Sequence, residues 1–129
     1  MAEKHVRDLD AWNVSMDLVA EIYRLTTTWP KEELYALTNQ IRRAAVSVPS
    51  NIAEGQGRGA TREFVRFLNV SYGSLMELQT QLLIGERLGY QNRQRTEEVE
   101  QLAERTAKVI NGLKRSLNKK LNEQERKSN

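Results

Sequence analysis

Few residues in this chain are able to do chemistry, and their spacing narrows the choice further. The glycine loop Gly55-Gln56-Gly57-Arg58-Gly59 invites a phosphate-binding reading, because glycines let backbone N–H groups approach an anion and a helix start follows near Thr61. A nucleotide P-loop, however, ends in Lys-Ser/Thr and follows a strand, and the dinucleotide fingerprint needs a strand–helix–strand unit. Neither surrounds this loop, which reads as a flexible turn that also presents Arg58. Carboxylates come next, since helical bundles hold metals between inward Glu residues with Glu-x-x-His pairs. No glutamate here has a histidine three residues later, and Glu54 and Glu77, the acids nearest to apolar stripes, lack a partner at ligand spacing. Both read as solvated or ion-paired acids. Ser47, Ser50, Ser71 and Ser74 have no base to activate them and read as small residues that permit close helix approach. The one histidine, His5, sits in a charged N-terminal segment and reads as a solvated tail residue. With no cysteine, disulfides, thiolate nucleophiles, zinc ribbons and iron–sulfur clusters are excluded. The expectation is no catalytic residue, no metal site and no cofactor.

Recognition chemistry remains. Arg43, Ser47, Ser50 and Glu54 are spaced four, three and four apart with Asn51 beside them, so they share one helix face. Small hydroxyls and an amide suit an oligomer interface where hydrogen bonds replace water; the alternative is local capping of the backbone by Ser47 and Asn51. Two basic clusters stand out. Arg42, Arg43, Arg58, Arg62 and Arg66 face only Glu54 and Glu63 between residues 40 and 66, and Lys114, Arg115, Lys119 and Lys120 gather near the C-terminus. Arginine's planar fork fits phosphate, so both clusters are candidate nucleic-acid-binding residues. The competing reading is a solubilising surface and a dipole-compensating helix end. The net charge of +3 is unevenly distributed: residues 1–113 sum to −1 and residues 114–129 to +4.

The elements that must position these residues are helical. Apolar residues recur three and four apart almost throughout, and period-two alternation is missing. A first helix is predicted from about Leu9 to Thr28, with stripes Leu9, Trp12, Met16, Val19, Tyr23 and Leu18, Ile22, Leu25, Trp29. Pro30 punctuates the chain, and Glu32 and Glu33 then favour the next helix start. Helix two follows Leu34, Leu37, Ile41, Ala44, Val48 and Ile52 to Gly55, with a kink expected at Pro49 rather than two separate helices. Thr61 is placed to cap helix three, which follows Phe64, Leu68, Ser71, Leu75, Leu78 and Leu82 and closes at Gly89. Helix four carries Val99, Leu102, Thr106, Val109, Leu113 and Leu117. Short connections make this an all-α, antiparallel up-down-up-down four-helix bundle over residues 1–121, with a frayed polar tail at 122–129.

Length and composition agree with one such domain. At 129 residues, 39% hydrophobic and 29% charged, the chain buries about two thirds of its unfolded surface without staples. No apolar run approaches the ~20 residues that span a bilayer, so no membrane partner and a cytoplasmic location are expected.

The segments LYALTNQIRRAAVSVPSNIAEGQGR, REFVRFLNVSYGSLMELQTQL and LGY resemble the four-helix-bundle family typified by the 23S rRNA intervening-sequence proteins of bacteria. Gln40-Ile41-Arg42-Arg43-Ala44 together with Ser47-Val48-Pro49-Ser50-Asn51-Ile52-Ala53-Glu54-Gly55 is its most specific part, and the similarity spans roughly residues 7 to 117. The resemblance implies a ring-shaped homopentamer, association with RNA or DNA, and no enzymatic activity. Similar accessory proteins of diversity-generating retroelements imply a second role, recruitment of a protein partner such as a reverse transcriptase.

Overall fold

The structure, a computed structural model, describes residues 5–128. Residues 1–4, which the sequence reading counts with the bundle, and Asn129 lie outside the described residues. Four helices form, α1 (Asp10–Thr26), α2 (Leu37–Gly57), α3 (Thr61–Arg87) and α4 (Arg93–Ser128), with short 3-10 turns at Val6–Asp8 and Lys31–Glu33 and no strand among the described residues. Each helix packs on two neighbours in the cyclic order α1, α2, α3, α4.

The core is the overlap of one stripe from each helix: Leu18 and Ile22, Ile41, Val48 and Ile52, Leu68, Leu75, Leu78 and Leu82, then Val99, Ala103 and Ile110, all fully buried. Burying each large aliphatic side chain contributes about 1.5–3 kcal/mol, so these rows hold the helices together. Contacts between neighbours run in opposite order along the chain, as an up-down-up-down bundle requires. Ser47 meets Ser74 while Gly55 meets Phe64 and Phe67; Glu86 pairs with Arg93 while Arg62 pairs with Glu125; Arg42 reaches Thr26 while Ala53 shares a groove with Trp12.

One end of the bundle is stapled. Trp29 lies 5.5 Å from the Tyr90 ring and donates its indole N–H to Gln91 at 3.2 Å, and the Tyr90 hydroxyl donates to Glu33 at 2.6 Å. Gly85 makes this possible, because a Cβ there would stand 2.6 Å from the Trp29 ring. Gly89, at φ +81°, ends α3 with the paired bonds Tyr90 N–H to Gly85 O and Gly89 N–H to Glu86 O that define a Schellman cap.

Several local expectations are corrected. On α1 and the turn after it the core row is Leu18, Ile22, Leu25 and Trp29, whereas Met16 and Tyr23 of the other stripe are more than 40% exposed. Small Ala11 and Ser15 take the buried positions beside them. Lys31–Glu33 forms its own turn and α2 starts only at Leu37, leaving Leu34 exposed; Glu33 still accepts from the Leu37 N–H at 3.5 Å. α2 runs unbroken through Pro49, in agreement with one helix rather than two. Gly55 is helical and does not terminate α2; the left-handed residue is Gly59, at φ +78°. Thr61 is the first residue of α3 and makes no side-chain cap. α4 passes the expected tail boundary and remains helical to Ser128, although nearly every residue beyond Leu121 is exposed. His5 is exposed but not idle: its imidazole accepts from the Arg7 N–H and its own N–H donates to Asp8, capping the first turn.

Candidate nucleic-acid and assembly surfaces

Arg58, Arg62 and Arg66 of the first basic cluster lie at the same end of the bundle as the C-terminal part of α4, whereas Arg42 and Arg43 sit near the start of α2, toward the opposite end. Arg58 closes α2, Arg62 and Arg66 sit one turn apart at the start of α3, and Arg62 pairs with Glu125 near the end of α4 at 3.1 Å. Arg58 and Arg66 converge on one ring, their guanidiniums 5.2 Å and 4.5 Å from the centroid of Phe67. Each also holds an acid of its own helix, Glu54 at 3.0 Å and Glu63 at 2.8 Å. All three pairs are solvent-exposed, with at least 43% of each side chain open.

The other candidate cations divide. Arg42 is half-buried, donates to the Thr26 hydroxyl at 2.9 Å and lies 4.6 Å from the Tyr23 ring centroid, so it clamps α1 to α2. Lys114 lies 5.2 Å over Tyr72 and ties α4 to α3. Arg43, Arg115, Lys119 and Lys120 are exposed with no carboxylate in ion-pair range among the described residues. Lys120 also edges a groove of about 810 Å3 floored by Leu9, Phe64, Leu113 and Leu117.

The polar line on α2 splits between two neighbours. Ser47 shares a hydrogen bond with Ser74 at 2.8 Å, and the Asn51 amide donates to the Ser47 carbonyl and hydroxyl at 2.8 and 2.9 Å. Ser47 thus joins α2 to α3 within the chain, while Asn51 is spent on Ser47 of its own helix. Ser50 turns the other way, into a shallow apolar groove with Trp12, Met16, Val19 and Val46. Arg43 and Glu54 remain on the outer face. Ser71, also predicted as a spacer, is buried and donates to the Val48 carbonyl at 2.8 Å.

Three features escape sequence reasoning. Tyr35 stands 91% exposed at the turn before α2, because the chain leaves the helical pattern there. Met16, Tyr23 and Val46 form an apolar surface between α1 and α2. Arg105 and Lys108 are exposed and unpaired among the described residues, adding two cations to α4 upstream of the C-terminal cluster. Their step of three residues followed by further basic residues at helical spacing was the available signal.

Among the described residues, no three His, Cys, Asp or Glu side chains stand close enough to hold a metal ion, and no helix is long and apolar enough to cross a membrane. The fold and surface thus define a four-helix bundle with exposed cations at one end and along α4. The family model of the 23S rRNA-intervening sequence protein matches residues 7–112, and the chain belongs to that family. It is also similar in fold to a crystal structure of a protein with unknown function from the S23 ribosomal protein family of Bacteroides thetaiotaomicron. That likeness has a TM-score of 0.71 at 19% identity, over 80% of this chain and 96% of the other. No curated protein matches the chain.

Proposed function

We propose that this protein is a non-enzymatic, homo-oligomeric scaffold that holds RNA or DNA through phosphate contacts. The observation that carries the reading is the meeting of Arg58, Arg62 and Arg66 with the basic C-terminal part of α4 at one end of the bundle, marked by the Arg62–Glu125 pair. Exposed ion pairs of this kind contribute only about 0–1 kcal/mol, so Arg58, Arg62 and Arg66 exchange carboxylate for phosphate at little cost. A homopentameric ring, the assembly expected of the family, would repeat each modest patch and add weak contacts through multivalency. The apolar surface of Met16, Tyr23 and Val46, with Ser50 beside it, supports assembly.

The test is a salt titration of RNA and DNA binding by the purified protein, read by fluorescence anisotropy, with light scattering for mass. Log affinity should fall linearly with log salt, and the mass should exceed one chain. Absence of binding at low salt would overturn the reading. A second reading, recruitment of a protein partner such as a reverse transcriptase, is favoured by Tyr35, an aromatic side chain left in solvent at a turn. Loss of that partner with Tyr35→Ala, from nuclease-treated extract, would support it.

A further inference from the structure

Two rows with the same period run along α4 on opposite sides. The buried row is Val99, Ala103, Thr106 and Ile110, in steps of four, three and four. Offset from it by two residues, about 200° around the helix, runs Arg105, Lys108, Gly112, Arg115, Lys119, Asn122 and Arg126, in alternating steps of three and four. The five cations of this second row are exposed, and none has a carboxylate in ion-pair range among the described residues. At 1.5 Å per residue the row is about 32 Å long. From Arg105 to Lys127 the helix carries eight basic residues against Glu123 and Glu125.

Gly112 interrupts the row at its middle. Glycine inside a helix costs about 1 kcal/mol relative to alanine. Nothing in the bundle requires it here, since an added Cβ would meet only the Arg115 guanidinium at 3.8 Å, an ordinary contact. Its effect is external: a notch where another molecule's backbone can approach the helix between Lys108 and Arg115.

The neighbours of the row decide what that molecule is. Gln101, Glu104, Ser116, Asn118 and Glu123 flank it, all exposed, and no aromatic or large aliphatic side chain of α4 is exposed. Single-stranded nucleic acid is gripped largely by stacking bases on aromatic rings, and protein partners by an apolar or aromatic centre. Neither is on offer. A regular line of cations without stacking residues fits the phosphates along one edge of a duplex, contacted without regard to sequence. We propose that the outer face of α4, from Arg105 to Arg126, is a docking surface for the backbone of double-stranded nucleic acid. This rests on the nucleic-acid reading above and assigns the principal contact to α4 rather than to the arginines of the glycine loop.

The experiment compares the unaltered protein with two variants on duplex RNA, duplex DNA and single-stranded RNA of equal length. One variant joins Arg105→Gln, Lys108→Gln, Arg115→Gln and Lys119→Gln; the other joins Arg58→Gln, Arg62→Gln and Arg66→Gln. The α4 variant should keep its helicity and lose duplex affinity, its slope of log affinity against log salt falling by about 3 to 4. Should it fail to fold, each single substitution should lower the slope by about 1. Gly112→Leu, which leaves charge untouched, should weaken duplex binding with the slope unchanged. If the unaltered protein binds no nucleic acid, both readings fall. If it binds and only the glycine-loop variant loses affinity, or if single strands bind better than either duplex, the α4 assignment alone is overturned.

Discussion

Gly55 shows how much a single missing carbon matters. A Cβ there would lie 2.7 Å from the Cβ of Phe67 and 3.1 Å from the Phe64 ring, so α2 and α3 approach closely only because the position is glycine. Gly55→Ala should destabilise the bundle by about 1–3 kcal/mol, measured by denaturant unfolding. The sequence marks Gly55 as unusual but points to the wrong cause, because a left-handed cap and a close contact select the same residue. Glu21 carries a pH dependence. Partial burial pushes its carboxyl up, but hydrogen bonds from Arg24 and Arg95, with their charges, outweigh that and leave it below the usual carboxylate range. A carboxyl depressed in the folded state stabilises the fold above its unfolded pKa, and that stabilisation is lost as pH falls through the folded value. Glu21→Gln should therefore lower stability at neutral pH and flatten its decline in acid, as thermal melts across the acid range would show. Arg42 was legible as a basic residue but not as a clamp, since Tyr23 and Thr26 reach it only once α1 and α2 pack.

At the scale of elements, periodicity identified all four helices, because each must bury a row spaced three and four apart. Where two rows compete, as on α1, periodicity cannot say which faces inward. Bulk favours Trp12, Met16 and Tyr23, yet packing chose the row containing Leu18 and Ile22 and filled the adjoining buried positions with Ala11 and Ser15. The end of α4 was misplaced for a related reason: polarity after Leu121 signals lack of burial, which is not the same as lack of helix. Since 122–128 are exposed and bury no core side chain, ending the chain at Leu121 should change stability by no more than about 0.5 kcal/mol, while circular dichroism loses that segment's helical signal. A large loss of stability would show that this segment supports the bundle.

For the whole molecule, the proposed assembly turns on which faces another copy would meet. Ser47 and Asn51 are spent within the chain, so a charge at Ser47 would disturb the α2–α3 seam along with any interface. Val46 is the cleaner probe, being 41% exposed on the apolar side of α2. Val46→Glu should lower the mass seen in light scattering while leaving helicity intact; an unchanged mass would place assembly elsewhere. The candidate surfaces were only half legible. Spacing revealed the arginines of the loop and the C-terminal cations, but their meeting at one end depends on the antiparallel return of α4. The stapled end has a dynamic consequence. Trp29, Glu33, Tyr90 and Gln91 bind two turns into one cooperative unit, whereas at the opposite end, beyond the Gly55–Phe67 contact, the link Arg58–Ala60 is a glycine-rich turn flanked by exposed ion pairs. Amide hydrogen exchange should therefore form a gradient along the helices, slowest beside Trp29 and fastest around Gly59. The bundle would breathe from the end that carries Arg58 and Arg62 without loosening the core, and the proposed phosphate contacts there would form on its most yielding part.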